Sequence, residues 1–142
     1  MKFFKIKSYA KINISLNVIA KLSSNFHKIE SLVTFINLYD LIYIRHIKAK
    51  NHKIQFTGKY SNHIFKNNTV SNLLKLLEKN GFLKGKKFEI KIIKNIPQKS
   101  GMGGGSMNAA NIFKFLIEKN LININKNKIK KITNLIGNDV VL

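Results

Sequence analysis

The chain has no cysteine and no tryptophan, a single proline, and only six acidic residues against 26 lysines and arginines. Without cysteine, disulfides, thiolate metal sites and cysteine nucleophiles are excluded. The four histidines are scattered and give no metal-ligand spacing, so the sequence identifies no metal ligand. No apolar run approaches the length of a membrane span, and the opening Met1-Lys2-Phe3-Phe4-Lys5-Ile6-Lys7 is too charged after its start for a secretory signal. The default expectation is a cytoplasmic protein with no membrane partner. At 142 residues there is material for one domain with a single core, and too little to expect two.

What is abundant is lysine, isoleucine and asparagine. The formal net charge of +20 would attract any polyphosphate. However, the lysines are spread over every predicted element, as an A/T-biased coding sequence would spread them. There is no aromatic-basic ribonucleoprotein signature, no helix-turn-helix and no zinc-finger spacing. Any nucleic-acid binding is therefore expected to be non-specific. Hydrophobic residues make up 44% in short periodic runs, which excludes a disordered polyelectrolyte.

The glycines are concentrated. Four of the eight lie in Pro97-Gln98-Lys99-Ser100-Gly101-Met102-Gly103-Gly104-Gly105-Ser106, and the one proline opens that stretch. Upstream, Phe88, Ile90 and Ile92 alternate with Glu89 and Lys91 as in a half-buried strand. Downstream, Ala109, Ile112, Phe113, Leu116 and Ile117 follow a helical period. The order is strand, loop, helix, with the helix entered at Ser106. Glycines let backbone N–H groups approach a ligand, and the helix aims its positive end into the loop. This is the pattern of an anion site, most readily a phosphate. It is not a Walker A loop, because no Lys-Ser or Lys-Thr follows, and the third glycine of GxGxxG would fall at Ser106. The plainer reading is a flexible connection with Ser106 as an N-cap, but such a connector needs fewer glycines.

Elsewhere, Ile12, Ile14, Leu16 and Val18 alternate with Lys11, Asn13, Ser15 and Asn17, predicting a strand with one core face and one polar face. Leu22 to His27 reads as a turn. Strands are predicted over Ser31–Leu38, Leu41–Ile47 and Lys53–Phe56. Asn68 or Thr69 caps a helix whose buried stripe is Val70, Leu73, Leu74 and Leu77, ended by Asn80-Gly81. Ile129, Ile132 and Ile136 mark a last helix stopped by Gly137. Strands first and helices later predict an α+β domain, with a mainly antiparallel sheet and helices on one face. The sequence then reaches Gly137-Asn138-Asp139-Val140-Val141-Leu142, a turn followed by an apolar run that stops mid-pattern.

Lys11 is the only cation on its strand's polar face, where an ammonium would be a fixed electrostatic stabiliser; the plainer alternative is a solvated lysine. Asp139, beside a helix stop, suits a general base or a metal-phosphate contact, or simply a turn aspartate bonded to its own backbone. Phe26 and His27 could stack on and hydrogen-bond a planar ligand, or be only a loop.

Together, Ala10-Lys11-Ile12-Asn13, Phe26-His27, Asn68-Thr69-Val70, Ile96-Pro97 through Ser106 with Asn108-Ala109-Ala110, and Gly137-Asn138-Asp139-Val140 resemble the GHMP kinase superfamily. Within it, the triple glycine before serine with Lys-x-Asn upstream is similar to the branch that phosphorylates the 2-hydroxyl of 4-diphosphocytidyl-2-C-methyl-D-erythritol. The resemblance implies a ribosomal-protein-S5-like N-terminal domain over residues 1–142. It implies ATP held by Pro97, Gly101, Met102, Gly103, Gly104, Gly105 and Ser106, with Asn68 at the nucleotide end, and Mg²⁺ accompanying the ATP. It implies Lys11 and Asp139 as the catalytic pair, and Asn13, Phe26 and His27 on the cytidine substrate. Three departures stand out: Asn25-Phe26-His27 replaces the family's Gly-Tyr-His, Met107 replaces a second serine, and Val141 replaces a proline. Family members also carry a second half, whereas this sequence stops three residues after Asp139. A truncated gene, a separate C-terminal half chain and a decaying remnant each fit, and a basic S5-like nucleic-acid-binding module is the alternative from another class.

Overall fold

The computed structural model describes residues 2–21 and 27–137. Strands β1 (Phe4–Lys21), β2 (His27–Ile47) and β3 (Lys53–Thr57) come first. Helix α1 (Thr69–Lys79), strand β4 (Lys87–Ile93), and helices α2 (Gly104–Glu118) and α3 (Lys126–Ile136) follow. The four strands form one sheet in the order β1-β2-β4-β3. β1 with β2 and β2 with β4 are antiparallel, while β3 runs parallel to β4. The sheet is thus mixed. A parallel pair needs a crossover rather than a tight turn, and α1 supplies it between β3 and β4.

Alternation builds the core. Ile42 and Ile44 on β2 and Phe88, Ile90 and Ile92 on β4 are fully buried on one face. They meet Val70, Leu73, Leu74 and Leu77 of α1, Ala109, Ile112, Phe113 and Leu116 of α2, and Ile132 of α3. Each of the larger side chains contributes about 1.5–3 kcal/mol by leaving water. Buried side chains of all three helices join the cluster on this face, α3 through its contacts with α1 and α2, so the α+β expectation with helices on one side holds. The opposite face carries polar cross-strand pairs: Arg45 faces Glu89 and donates from Nε to Oε2 at 2.7 Å.

The helix ends follow from local chemistry. Asn68 Oδ1 accepts from the N–H groups of Val70 (3.1 Å) and Ser71 (3.0 Å), and Ser71 Oγ accepts from Asn68 N–H (2.9 Å), a reciprocal cap. Asn80 ends α1, and Gly81 follows with φ of 72° in the left-handed region. Gly137 ends α3, as the sequence predicts.

The first half departs from expectation in two ways. The segments 31–38 and 41–47 are not separate strands; they belong to one strand of 21 residues. Nor do Ile12, Ile14, Leu16 and Val18 form a core face. The pairing register shifts between Asn13 and Ser15, where β1 carries one more residue than β2. A bulge of this kind reverses the alternation of its strand. Cross-strand partners share a face, so Leu16 and Val18 lie on the face of Lys11 and Asn13, while Ile12 lies on the other. Beyond this point β1 and β2 pair only with each other among the described residues, and Leu16, Val18 and Leu32 are 55%, 60% and 60% exposed. The turn predicted over 22–27 lies outside the described residues up to 26, and His27 opens β2.

Two outcomes follow. Phe113→Ala should lower the unfolding free energy by about 3–5 kcal/mol, whereas Leu16→Asn should change it by no more than about 0.5 kcal/mol; urea unfolding of the two variants checks whether the distal ribbon lies outside the core. Acid should destabilise the fold through His52, whose Nδ1 accepts from Phe88 N–H at 3.1 Å and whose ring stacks on Phe88. Burial holds its pKa below the ordinary 6.5. The unfolded chain therefore takes up this proton first, and stability is full above that value and lost as pH falls below it. Glu78, held down by its hydrogen bond from Lys87, and Glu89, held down by Arg45, extend the loss at more acidic pH. The urea midpoint should fall on acidification, and His52→Asn, which retains an acceptor, should flatten the first part of that fall.

Candidate functional site

β4 is the strand flanked by β2 and β3, and it delivers the chain through Lys94-Asn95-Ile96 into the glycine-rich loop at the edge of the core. Gly101 and Gly103 take φ of 74° and 67°, in the left-handed region where a side chain is strained. The helix does not start at Ser106. Gly103 is its N-cap with no side-chain bond, and Gly104 is its first residue, which puts Ser106 in the first turn. Two glycines have the intrinsic preference of a loop, yet tertiary packing makes them helical. A Cβ on Gly104 would stand 3.1 Å from Ile96 Cγ2, and one on Gly105 would stand 3.3 Å from Thr69 Oγ1. A Cβ at either position would crowd its neighbour, so the start of α2 sits directly on the strand exit and on the start of α1.

That contact is fastened by a hydrogen bond from Thr69 Oγ1 to the Gly105 carbonyl at 2.8 Å. The first turns of α1 and α2 therefore open on one cleft of about 380 Å³. The first intrahelical bond of α2 runs from Met107 N–H to the Gly103 carbonyl at 2.8 Å. Gly104, Gly105 and Ser106 precede it, so their N–H groups have no acceptor within the helix. A wall of the cleft comes from the β3–α1 connection. Gln98 Nε2 pins it by donating to the carbonyls of Tyr60 (2.8 Å) and Asn62 (2.6 Å), and Phe56 and Ile64 add apolar surface.

All of Asn68, Pro97, Gly101, Met102, Gly103, Gly104, Gly105 and Ser106 line this cleft. Lys11 is beside it: its N–H donates to the Met102 carbonyl at 3.1 Å, and its Cε would lie 3.9 Å from a Cβ on Gly103. Asn13 follows on the same face of β1. Phe26, Asp139 and the side chain of His27 lie outside the described residues. Among the described residues no group of three or more His, Asp or Glu side chains could hold a metal ion, and no helix is long and apolar enough to cross a membrane.

The sequence assigns no role to three buried polar residues under the loop: Asp40, Lys94 and Asn108, the last read there only as part of the run Asn108-Ala109-Ala110. A signal existed. Asp40 is one of only six acidic residues and stands in the otherwise apolar and aromatic run Leu38-Tyr39-Asp40-Leu41-Ile42. A carboxylate there needs a buried partner.

A model of the GHMP kinases N-terminal domain matches residues 67–141. The chain belongs to the GHMP kinase family. A 4-diphosphocytidyl-2-C-methyl-D-erythritol kinase of Pelagibacter ubique (strain HTCC1062) is 59% identical over 100% of this chain and 50% of its own length. The protein of the same name from Clostridioides difficile (strain 630) is 35% identical over 99% of this chain and 47% of its own. The chain thus spans about half the length of the curated relatives it matches. A crystal structure of 4-(cytidine 5'-diphospho)-2C-methyl-D-erythritol kinase superimposes with a TM-score of 0.72 at 22% identity. It covers 96% of this chain and 47% of that one, and a crystal structure of homoserine kinase from Cytophaga hutchinsonii superimposes with a TM-score of 0.59 at 21% identity over 94% of this chain and 40% of its own. At these identities the structures speak for the GHMP fold alone.

The capping geometry has a measurable consequence. Asn68→Ala leaves the Val70 and Ser71 N–H groups without their acceptor and should cost about 1 kcal/mol of stability, read as a lowered urea midpoint with unchanged slope.

Proposed function

We propose that this chain is the ATP-binding half of a small-molecule kinase that phosphorylates the 2-hydroxyl of 4-diphosphocytidyl-2-C-methyl-D-erythritol in non-mevalonate isoprenoid biosynthesis. The observation that carries this reading is the name shared by relatives matched along essentially the whole chain, at 59% identity in one case. The geometry of the cleft supports it. Crowding at Gly104 and Gly105 that disfavours a Cβ, three N–H groups at a helix start, and the ammonium-bearing Lys11 alongside suit a polyphosphate.

In this reading Gly103, Gly104, Gly105 and Ser106 hold the phosphates of ATP, while Pro97, Gly101, Met102 and Asn68 shape the rest of its site. Asn13, Phe26 and His27 hold the cytidine substrate. The Asp139 carboxylate takes the proton of the 2-hydroxyl, whose oxygen attacks the γ-phosphorus as the bond to the bridging oxygen breaks and ADP leaves. Lys11 stabilises the negative charge developing on the attacking oxygen and the transferred group. Positioning and charge stabilisation of this kind supply most of the catalysis of phosphoryl transfer. Mg²⁺ would enter on the phosphates of ATP, neutralising their charge, because such ions are commonly bound through one or two protein groups plus substrate oxygens. The relatives are about twice the length matched here, and this reading needs the part of the fold they carry beyond it; location in the cytoplasm fits it.

Calorimetric titration of Mg·ATP and of the cytidine substrate into the purified chain is the test. Binding of Mg·ATP should be lost in Gly104→Val while the circular dichroism stays folded. A folded chain that binds no Mg·ATP overturns the reading. Binding of polyanions that ignores Gly104 and falls steeply with salt favours the basic nucleic-acid-binding module. Without the other half to exclude water, turnover by the chain alone should lie far below the roughly 1–1000 per second of ordinary enzymes.

A further inference from the structure

Beneath the glycine-rich loop lies a buried polar cluster that no part of the proposed chemistry uses. Asp40, near the middle of β2, is fully buried. Its Oδ1 accepts from the backbone N–H groups of Asn95 (2.8 Å) and Ile96 (2.9 Å). Its Oδ2 accepts from Asn108 Nδ2 at 2.8 Å and from the Lys94 ammonium. Lys94 and Asn108 are 4% and 1% exposed. A Cβ on Gly104 would lie 3.3 Å from Lys94 Nζ, so the ammonium occupies the floor under the first residue of α2.

The choice of partners is informative. One carboxylate oxygen holds the two residues by which the chain enters the loop, and the other holds a side chain in the second turn of the helix by which it leaves. A buried ion pair is a poor device for stability alone, because removing both charges from water costs much of what their attraction returns, and apolar groups of similar shape would do as well. What apolar groups cannot do is fix the direction of two backbone N–H groups and one amide at once. The Asn108 amide adds to the argument: in presenting Nδ2 to Asp40 it leaves its own buried Oδ1 without a hydrogen-bond partner.

We propose that Asp40, neutralised by Lys94, is a positioning residue for the phosphate loop, fixing entry and exit so that the N–H groups of Gly104, Gly105 and Ser106 converge on a nucleotide's phosphates. This rests on the reading of the cleft as an ATP site. Two double variants separate positioning from bulk stability, since both remove the ion pair. In Asp40→Asn/Lys94→Met the side-chain Oδ1 remains an acceptor for Asn95 and Ile96, and the new amide can donate to Asn108 Oδ1. In Asp40→Leu/Lys94→Met no acceptor remains.

Amide hydrogen exchange over residues 95–108 and affinity for Mg·ATP should stay within about twofold of the parent chain in the first variant. In the second, exchange should be faster and affinity weaker by on the order of tenfold, even where the urea midpoints of the two agree. Equal exchange and equal affinity in the two variants would overturn the proposal and leave an ordinary buried ion pair. Should the leucine variant not fold, Asp40→Ala/Lys94→Met takes its place with the same expected contrast. Exchange is read without ligand, so a parent chain that binds no nucleotide would sink the kinase reading separately, while the exchange contrast would still decide whether Asp40 orders the loop.

Discussion

The cleft depends on how closely the first turn of α2 approaches the end of β4 and the start of α1. A Cβ at Gly104 would press on Ile96, and one at Gly105 on Thr69. Because the approach is that close, Thr69 can bond the Gly105 carbonyl, and two helix starts open on one space. Side chains there would push the first turn, and with it the N–H groups that face the cleft, away from Ile96. Close packing therefore fixes the backbone from one side, and the hydrogen bonds of Asp40 hold it from below.

The sheet has two regimes. Where β2 is flanked by β4, alternation is strict and the buried face is continuous with the helices. Farther out, β1 and β2 pair only with each other among the described residues, the register shifts, and apolar side chains face solvent. A two-stranded ribbon gains little from burial and is marginal by itself. It is held by its continuity with strands anchored in the core. Its inner part carries Lys11, whose backbone bond to Met102 ties the ribbon's base to the loop, so the site sits where the rigid and the outlying parts of the sheet join.

Charge plays two unlike parts. Most lysines are solvated and distributed, and their sum of +20 describes the surface more than any one site. Lys94 is the opposite: buried, paired with Asp40 and placed beneath the glycine-rich loop. A net charge cannot distinguish these roles, because it carries no information about which ammonium group has lost its water.

Helix and strand periodicities, the Asn68 cap, the Asn80-Gly81 stop and the concentration of glycine before an amphipathic helix are local properties, and local chemistry determined them from the sequence. The family resemblance was legible for the same reason, since its motifs are short runs that keep their order along the chain. Phe26 and Asp139 were legible as candidates, but they lie outside the described residues. The bulge that reverses β1, the fusion of two predicted segments into one strand, the start of α2 at Gly104 and the burial of Asp40 with Lys94 were decided only by tertiary structure. Each depends on what stands across from a residue at a sequence separation of tens of positions, and neither propensity nor period along the chain encodes that neighbour.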